Sequence, residues 1–119
     1  MNALQTRLTD WIDAHFDDEV GFLQAVVRIP TDTPPGNNAP HAEAVADMLE
    51  GAGWPVERHA VPAQQVIDYG LASITNLIVR RPYGADGPTL ALNAHGDVVP
   101  PGEGWTHPPY GAVIEDGYL

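Results

Sequence analysis

The chain has 119 residues, 44% of them hydrophobic and 18% charged, which suits one modest globular domain and argues against a disordered chain. Sixteen acidic residues oppose five Lys and Arg, a net charge of −11, so the sequence offers no basic surface for nucleic acid or anionic lipid. Cysteine is absent, which excludes disulfides and thiol catalysis and leaves His and carboxylates as metal ligands. The first residues lack the apolar core of a signal peptide, and no run of about 18 apolar residues occurs. We therefore expect a soluble, cytoplasmic protein.

Three helices are predicted in the first half of the chain. The first has apolar residues on one helical face up to Ile12, and the second begins at Asp17 or Asp18 as N-cap and ends before Pro30. A loop over residues 31–40 follows, in which Asn37 or Asn38 can cap a third helix over residues 41–50. Gly51 and Gly53 are suited to end that helix.

Strands are predicted after residue 54. Residues 55–61 fit an edge strand, residues 66–73 are ambiguous, and residues 74–80 and 89–94 are short apolar runs joined by a loop of the length that links antiparallel neighbours. The run 89–94 has almost no polar face, which predicts burial on both sides. The expected fold class is α/β, with helices packed on a mixed β-sheet.

The C-terminal residues predict half of a hairpin. Residues 112–115 form a candidate strand and Asp116-Gly117 a tight turn, yet only Tyr118 and Leu119 remain to pair with it. We expect the chain to be the front part of a longer protein, with a natural terminus as the alternative.

The sequence His95-Gly96-Asp97 directly follows the predicted buried strand. Ligand sites gather at the carboxyl ends of strands in open α/β sheets, and residues two apart on a strand point to the same side. A neutral imidazole is a zinc ligand, and a nearby carboxylate can accept its other ring N–H. This short pattern also fits a turn histidine beside a neighbouring carboxylate.

The surrounding segment resembles the first metal-ligand motif of the dinuclear zinc amidohydrolases. That family includes acetylornithine deacetylase, succinyl-diaminopimelate desuccinylase, aminoacylase and glutamate carboxypeptidase. Its pattern is an apolar strand, H-x-D-x-V-P, a Trp, a Pro-aromatic pair and a D-G turn. The matching positions here are residues 90–94, His95, Asp97, Val99, Pro100, Trp105, Pro109-Tyr110 and Asp116-Gly117.

The resemblance implies that His95 is a ligand to one of two zinc ions, which Co²⁺ can replace, and that Asp97 is a catalytic carboxylate that orients His95. It implies a complete enzyme that hydrolyses the amide bond of N-acyl amino acids or small peptides and forms a homodimer through a further domain. Residues 1–119 would be the N-terminal portion of its catalytic domain, without the lid or dimerisation domain. Residues 62–73 have no obvious counterpart in the family.

Later family motifs, which supply the other metal ligands and the general base, do not occur in the 119 residues. We therefore expect this chain alone to be inactive and to bind zinc weakly. The alternative is a non-catalytic α/β binding or interaction module derived from the same fold. Among the other histidines, His15, His41 and His59 are expected on helix or strand surfaces without ligand partners, and His107 in a loop that could line a pocket.

Overall fold

The computed structural model describes residues 2–119. Its contacts divide the chain into two compact units: the described residues up to Arg28 together with Trp105–Leu119, and Ile29–Gly104. The elements in chain order are α1 (Ala3–Val27), α2 (Ala39–Gly51), β1 (Val56–Ala60), α3 (Ala63–Asp68) and β2 (Thr75–Val79).

The first unit contains one long helix where the sequence predicts two. Asn2 caps α1: its side chain accepts the Gln5 N–H at 2.9 Å, and the Gln5 side chain accepts the Asn2 N–H at 2.8 Å. Asp17 and Asp18 are wrong as N-caps, because no proline interrupts the run and they lie inside a continuous helix. The predicted end before Pro30 is confirmed. Neither α1 nor another helix of residues 2–119 combines the length and apolarity that a membrane crossing requires.

The C-terminal turn of the first unit is confirmed. Glu115 and Tyr118 exchange two backbone hydrogen bonds of 3.0 and 2.9 Å. Asp116 and Gly117 have φ of 51° and 81°, the left-handed pair that a two-residue hairpin turn requires. The predicted strand 112–115 is reduced to this single bridge.

The second unit is built around α2 and a two-stranded sheet. β1 and β2 pair antiparallel, from Val56 opposite Val79 to Ala60 opposite Thr75, which confirms both predicted strands. Ala46 of α2 is fully buried, and the ambiguous stretch forms α3, in which Val66 is buried. The helix predicted over residues 41–50 is also confirmed, as α2.

The N-terminus of α2 is capped by a residue distant in sequence. Asn38 occupies the N-cap position, but its side chain makes no capping hydrogen bond. The Ala39 N–H instead donates to Ser73 Oγ at 2.9 Å, and the Ser73 hydroxyl donates to Asn37 Oδ1 at 2.7 Å. Asn38 is therefore the N-cap residue, as the sequence predicts, but the capping hydrogen bond is accepted by Ser73 and not by an asparagine side chain.

The predicted buried strand over residues 89–94 is wrong. These residues form no strand, and Leu90 and Leu92 are 82% and 89% exposed. A strand requires hydrogen bonds from a neighbour, and within residues 2–119 no strand lies beside this run. The sheet of the described residues is accordingly antiparallel, not mixed, and residues 81–88 do not link two paired strands.

Arg58 of β1 joins the sheet to α2 through three carboxylates. Its guanidinium nitrogens lie 2.9 Å from Glu43 Oε2, 3.2 Å from Asp47 Oδ1 and 2.6 Å from Glu50 Oε1. The three acceptors recur at the spacing of one helical face. The hydrogen bonds that Arg58 donates to Glu50 and Glu43 raise the pKa of Arg58, and the hydrogen bond from Arg58 lowers the pKa of Glu50.

We expect Arg58→Met to lower the melting temperature slightly at pH 7 and to have less effect near pH 3. A carboxyl pKa that is lower in the folded chain stabilises the fold above the ordinary glutamate pKa, and this contribution disappears as the pH falls through the folded-state value. Thermal unfolding followed by circular dichroism measures the difference. Arg28→Met is the control, because Arg28 makes no ion pair within the described residues. An Arg58→Met effect independent of pH would contradict the ion-pair explanation.

Candidate functional site

The segment that carries His95 and Asp97 is held by the loop before α2. Residues Asp32 and Val98 form a parallel bridge, in which the Val98 N–H donates to the Thr31 carbonyl at 3.3 Å and the Thr33 N–H donates to the Val98 carbonyl at 2.8 Å. The Thr31 hydroxyl also donates to the Gly96 carbonyl at 2.7 Å. The segment thus has a defined path although it is not a strand.

The imidazole of His95 contacts Asp97 directly. Its Nδ1 lies 3.0 Å from the Asp97 carbonyl oxygen and 3.2 Å from Asp97 Oδ1. Both partners can only accept, so the hydrogen bond requires the proton on Nδ1 and leaves the Nε2 lone pair free. The His95 side chain is 85% exposed, and Nε2 is therefore accessible to a ligand. This is the tautomer that a metal-binding histidine adopts when a carboxylate orients it.

A second histidine lies beside the same segment. A Cβ built on Gly96 would lie 3.0 Å from His41 Cε1 and 3.2 Å from His41 Nδ1, so the His41 ring fills the space next to this glycine. Partial burial lowers the pKa of His41, which favours the neutral imidazole. The sequence prediction of a surface histidine without a functional neighbour missed this contact, because helix periodicity carries no information on what α2 faces.

An open cavity of about 610 Å³ in the second unit joins these groups. Its wall includes His41, His95 and Asp97, together with the amides Asn38, Asn76 and Asn93. The Asn38 side-chain oxygen is buried and accepts no hydrogen bond within the described chain. The cavity is consequently polar where His95 and Asp97 meet it.

The donor set fits part of a metal site. An imidazole with a free Nε2 and a carboxylate on its other nitrogen is suitable for a divalent cation such as zinc. Residues 2–119 do not, however, bring together three or more His, Asp or Glu side chains that could hold an ion. This arrangement supplies one oriented ligand.

The remaining histidines have other partners. His59 Nε2 lies 3.1 Å from Glu57 Oε2 on β1. His107, which the sequence places in a possible pocket, belongs to the first unit, where its Nε2 lies 2.8 Å from Glu115 Oε2. The ring of His15 stacks on Trp11 of α1 with a centroid distance of 4.1 Å.

Comparison with curated proteins finds relatives that are named succinyl-diaminopimelate desuccinylase. Proteins named succinyl-diaminopimelate desuccinylase from Methylobacterium sp. (strain 4-46) and Xanthobacter autotrophicus are 41% and 40% identical over 102 and 96 residues, which cover 84% and 79% of this chain. The chain is a homologue of the succinyl-diaminopimelate desuccinylases. A third relative with this name, from Acidiphilium cryptum, is 35% identical over 102 residues. The family resemblance of the sequence is thereby confirmed.

The match covers only part of the relatives. The chain spans about a quarter of their length, 24% for the Methylobacterium protein and 23% for the Xanthobacter protein. No family model matches the chain, and no solved structure matches it. The names of the relatives describe hydrolases that remove a succinyl group, so a deacylase family is supported at this level.

Proposed function

We propose that this chain contributes one oriented metal ligand to a zinc-dependent amide hydrolase that acts on N-acyl amino acids or small peptides. The observation that carries the proposal is the His95–Asp97 contact, which leaves His95 Nε2 exposed at a polar cavity. The relatives support the same reaction class, because desuccinylation is the hydrolysis of an acyl amide.

His95 and Asp97 have different roles in this proposal. His95 binds the cation through Nε2, while Asp97 accepts the hydrogen bond of the Nδ1–H group and so fixes the direction of the ring. When bound, zinc supplies an acidified water and polarises the carbonyl of the substrate amide. Asp97, which keeps part of its carboxylate exposed, can also accept a hydrogen bond from a water at the cavity.

Activity would require ligands from outside these 119 residues. A catalytic zinc ion takes three protein ligands and a water, whereas His95 is a single ligand. We therefore propose that the isolated chain has no deacylase turnover and binds zinc weakly. The second zinc ion, Co²⁺ replacement, the homodimer and the cytoplasmic location stay predictions.

We expect His95→Ala to abolish the zinc-induced NMR shifts at the cavity. The measurement is a Zn²⁺ titration of the ¹³C,¹⁵N-labelled chain at pH 7.5, with the backbone signals of residues 93–98 and the histidine ring signals as readouts. His59→Ala is the matched control, since His59 is also exposed and also contacts a carboxylate two residues away.

The outcome separates a site from general histidine binding. If zinc shifts the signals around His59 as strongly as those around His95, or if His95→Ala leaves the shifts at residues 93–98 intact, the proposed metal site is wrong. Deacylation of N-succinyl amino acids by the purified chain, dependent on added zinc, would contradict its inactivity in isolation.

A further inference from the structure

Thr31 is the one polar residue of the described chain that is buried, with 4% of its surface exposed. Its hydroxyl donates to the Gly96 carbonyl over a distance of 2.7 Å. This carbonyl belongs to the peptide group that joins Gly96 to Asp97. A buried hydroxyl without a partner is costly, so this hydrogen bond ties Thr31 and Gly96 together. The link joins two segments that lie far apart in sequence.

The hydrogen bond from Thr31 lies at the residue between His95 and Asp97. Glycine has more backbone freedom than any other residue, and Gly96 lies between the two residues whose side chains meet in the site. The hydroxyl of Thr31 holds its carbonyl, and the ring of His41 lies against its Cα. The bridge between Asp32 and Val98 fixes the backbone immediately after Asp97. Together these contacts limit the directions in which His95 and Asp97 leave the chain.

We propose that Thr31 is a positioning residue for the metal ligand His95, acting through the Gly96 carbonyl. Its role toward a metal rests on the proposed function, while its role in the His95–Asp97 geometry does not. Within the described residues the Thr31 hydroxyl bonds to the Gly96 carbonyl and to neither side chain, so its contribution is to keep the imidazole Nδ1 within hydrogen-bonding distance of Asp97.

The chain contains a matched control for this proposal. Thr33 lies in the same loop and donates its backbone N–H to Val98, but its hydroxyl donates to the Thr31 carbonyl at 3.2 Å. Removal of the Thr33 hydroxyl therefore disturbs the same loop without removing a bond to Gly96. Thr31→Ser keeps the hydroxyl and removes a methyl group, which provides the conservative rescue.

The experiment compares Thr31→Val, Thr31→Ser and Thr33→Val in the 119-residue chain by long-range ¹H–¹⁵N NMR of the histidine rings at pH 8, where an ordinary imidazole is neutral. We expect Thr31→Val to reduce the share of His95 with the proton on Nδ1, and to weaken Zn²⁺ binding at His95 about fivefold, as expected for one lost hydrogen bond. For Thr31→Ser and Thr33→Val, the affinity of His95 for Zn²⁺ should stay within about twofold of that of the unsubstituted chain.

The His95 tautomer tests the positioning role of Thr31, and zinc binding tests the proposed metal site. A folded Thr31→Val chain with an unchanged His95 tautomer would overturn the positioning role, whatever zinc does. If both Thr31→Val and His95→Ala still bind zinc at the cavity as the unsubstituted chain does, the proposed metal site is wrong. A tautomer change of His95 in Thr31→Val would even then support the positioning role of Thr31. If Thr31→Val does not fold, Thr31→Ala against Thr31→Ser decides, and equal tautomer shares in these two variants would overturn the proposal.

Discussion

Gly36→Ala is expected to reduce the free energy of unfolding of the chain by about 2–5 kcal/mol. Gly36 has φ of +68°, a left-handed conformation that costs a residue with a Cβ about 1–2 kcal/mol. The new Cβ would also lie 2.6 Å from Leu71 Cδ2 and 3.2 Å from Leu71 Cβ, and such overpacking typically costs about 1–3 kcal/mol. Urea unfolding followed by circular dichroism measures the sum.

The loop around Gly36 has little freedom to relieve that clash. The Gly36 N–H donates to the Asp32 carbonyl at 2.7 Å, and its own carbonyl accepts the N–H groups of Ala72 and Ser73 at 3.2 and 3.0 Å. A shift of this glycine would therefore disturb the residues that cap α2 as well as the loop that holds the candidate site.

Gly53→Ala is the matched control for this prediction. Gly53 also has a left-handed φ, +82°, but a Cβ built there meets no atom within 4 Å. It should cost only the backbone term of about 1–2 kcal/mol. Equal destabilisation by the two substitutions would show that Leu71 adjusts freely and that the packing part of the prediction is wrong.

Local patterns predicted most of the regular structure correctly. Helix periodicity, the proline at position 30 and the glycines after residue 50 define α2 and the end of α1, and the Asp116-Gly117 turn forms as its residue types require. The division of α1 failed because Asp17 and Asp18 favour an N-cap only where the preceding residues leave the helix, and nothing there interrupts it.

Burial of residues 89–94 could not be predicted from their composition. An apolar run shows that exposure is unfavourable, but only a neighbouring strand and a covering layer can bury it. The described residues supply neither, and Leu90 and Leu92 remain exposed. The same lack of information on distant neighbours explains why the sequence did not indicate Ser73 as the cap of α2.

In the candidate site too, contacts between residues close in sequence must be distinguished from contacts between distant segments. The His95–Asp97 contact joins residues two apart and forms as predicted, although the strand on which that prediction depended is absent from the described residues. The contacts of Gly96 with Thr31 and His41 bring together three separate segments of the chain, and no local pattern indicates them. The sequence thus indicated the groups proposed for the site, whereas the structure shows which contacts hold the segment that carries them.

Asp97→Asn is expected to weaken Zn²⁺ binding at His95 by about tenfold or more, the range typical of a carboxylate that orients a metal-binding histidine. The amide oxygen of asparagine can still accept a hydrogen bond from the Nδ1–H group, so the ring keeps its partner but loses the negative charge that increases its basicity. The measurement is the Zn²⁺ titration of the labelled chain, with the His95 ring signals as readout.

Glu57→Gln provides the comparison, because the Glu57 carboxylate also contacts a histidine two residues away, at 3.1 Å from His59 Nε2, but does not line the cavity. It should leave zinc binding at His95 unchanged. If Asp97→Asn also leaves it unchanged while the His95 tautomer is preserved, the charge of Asp97 does not act on the metal ligand. Asp97 would then serve only as a hydrogen-bond acceptor, because Asp97→Asn removes the negative charge but keeps an oxygen that can accept the hydrogen bond from His95.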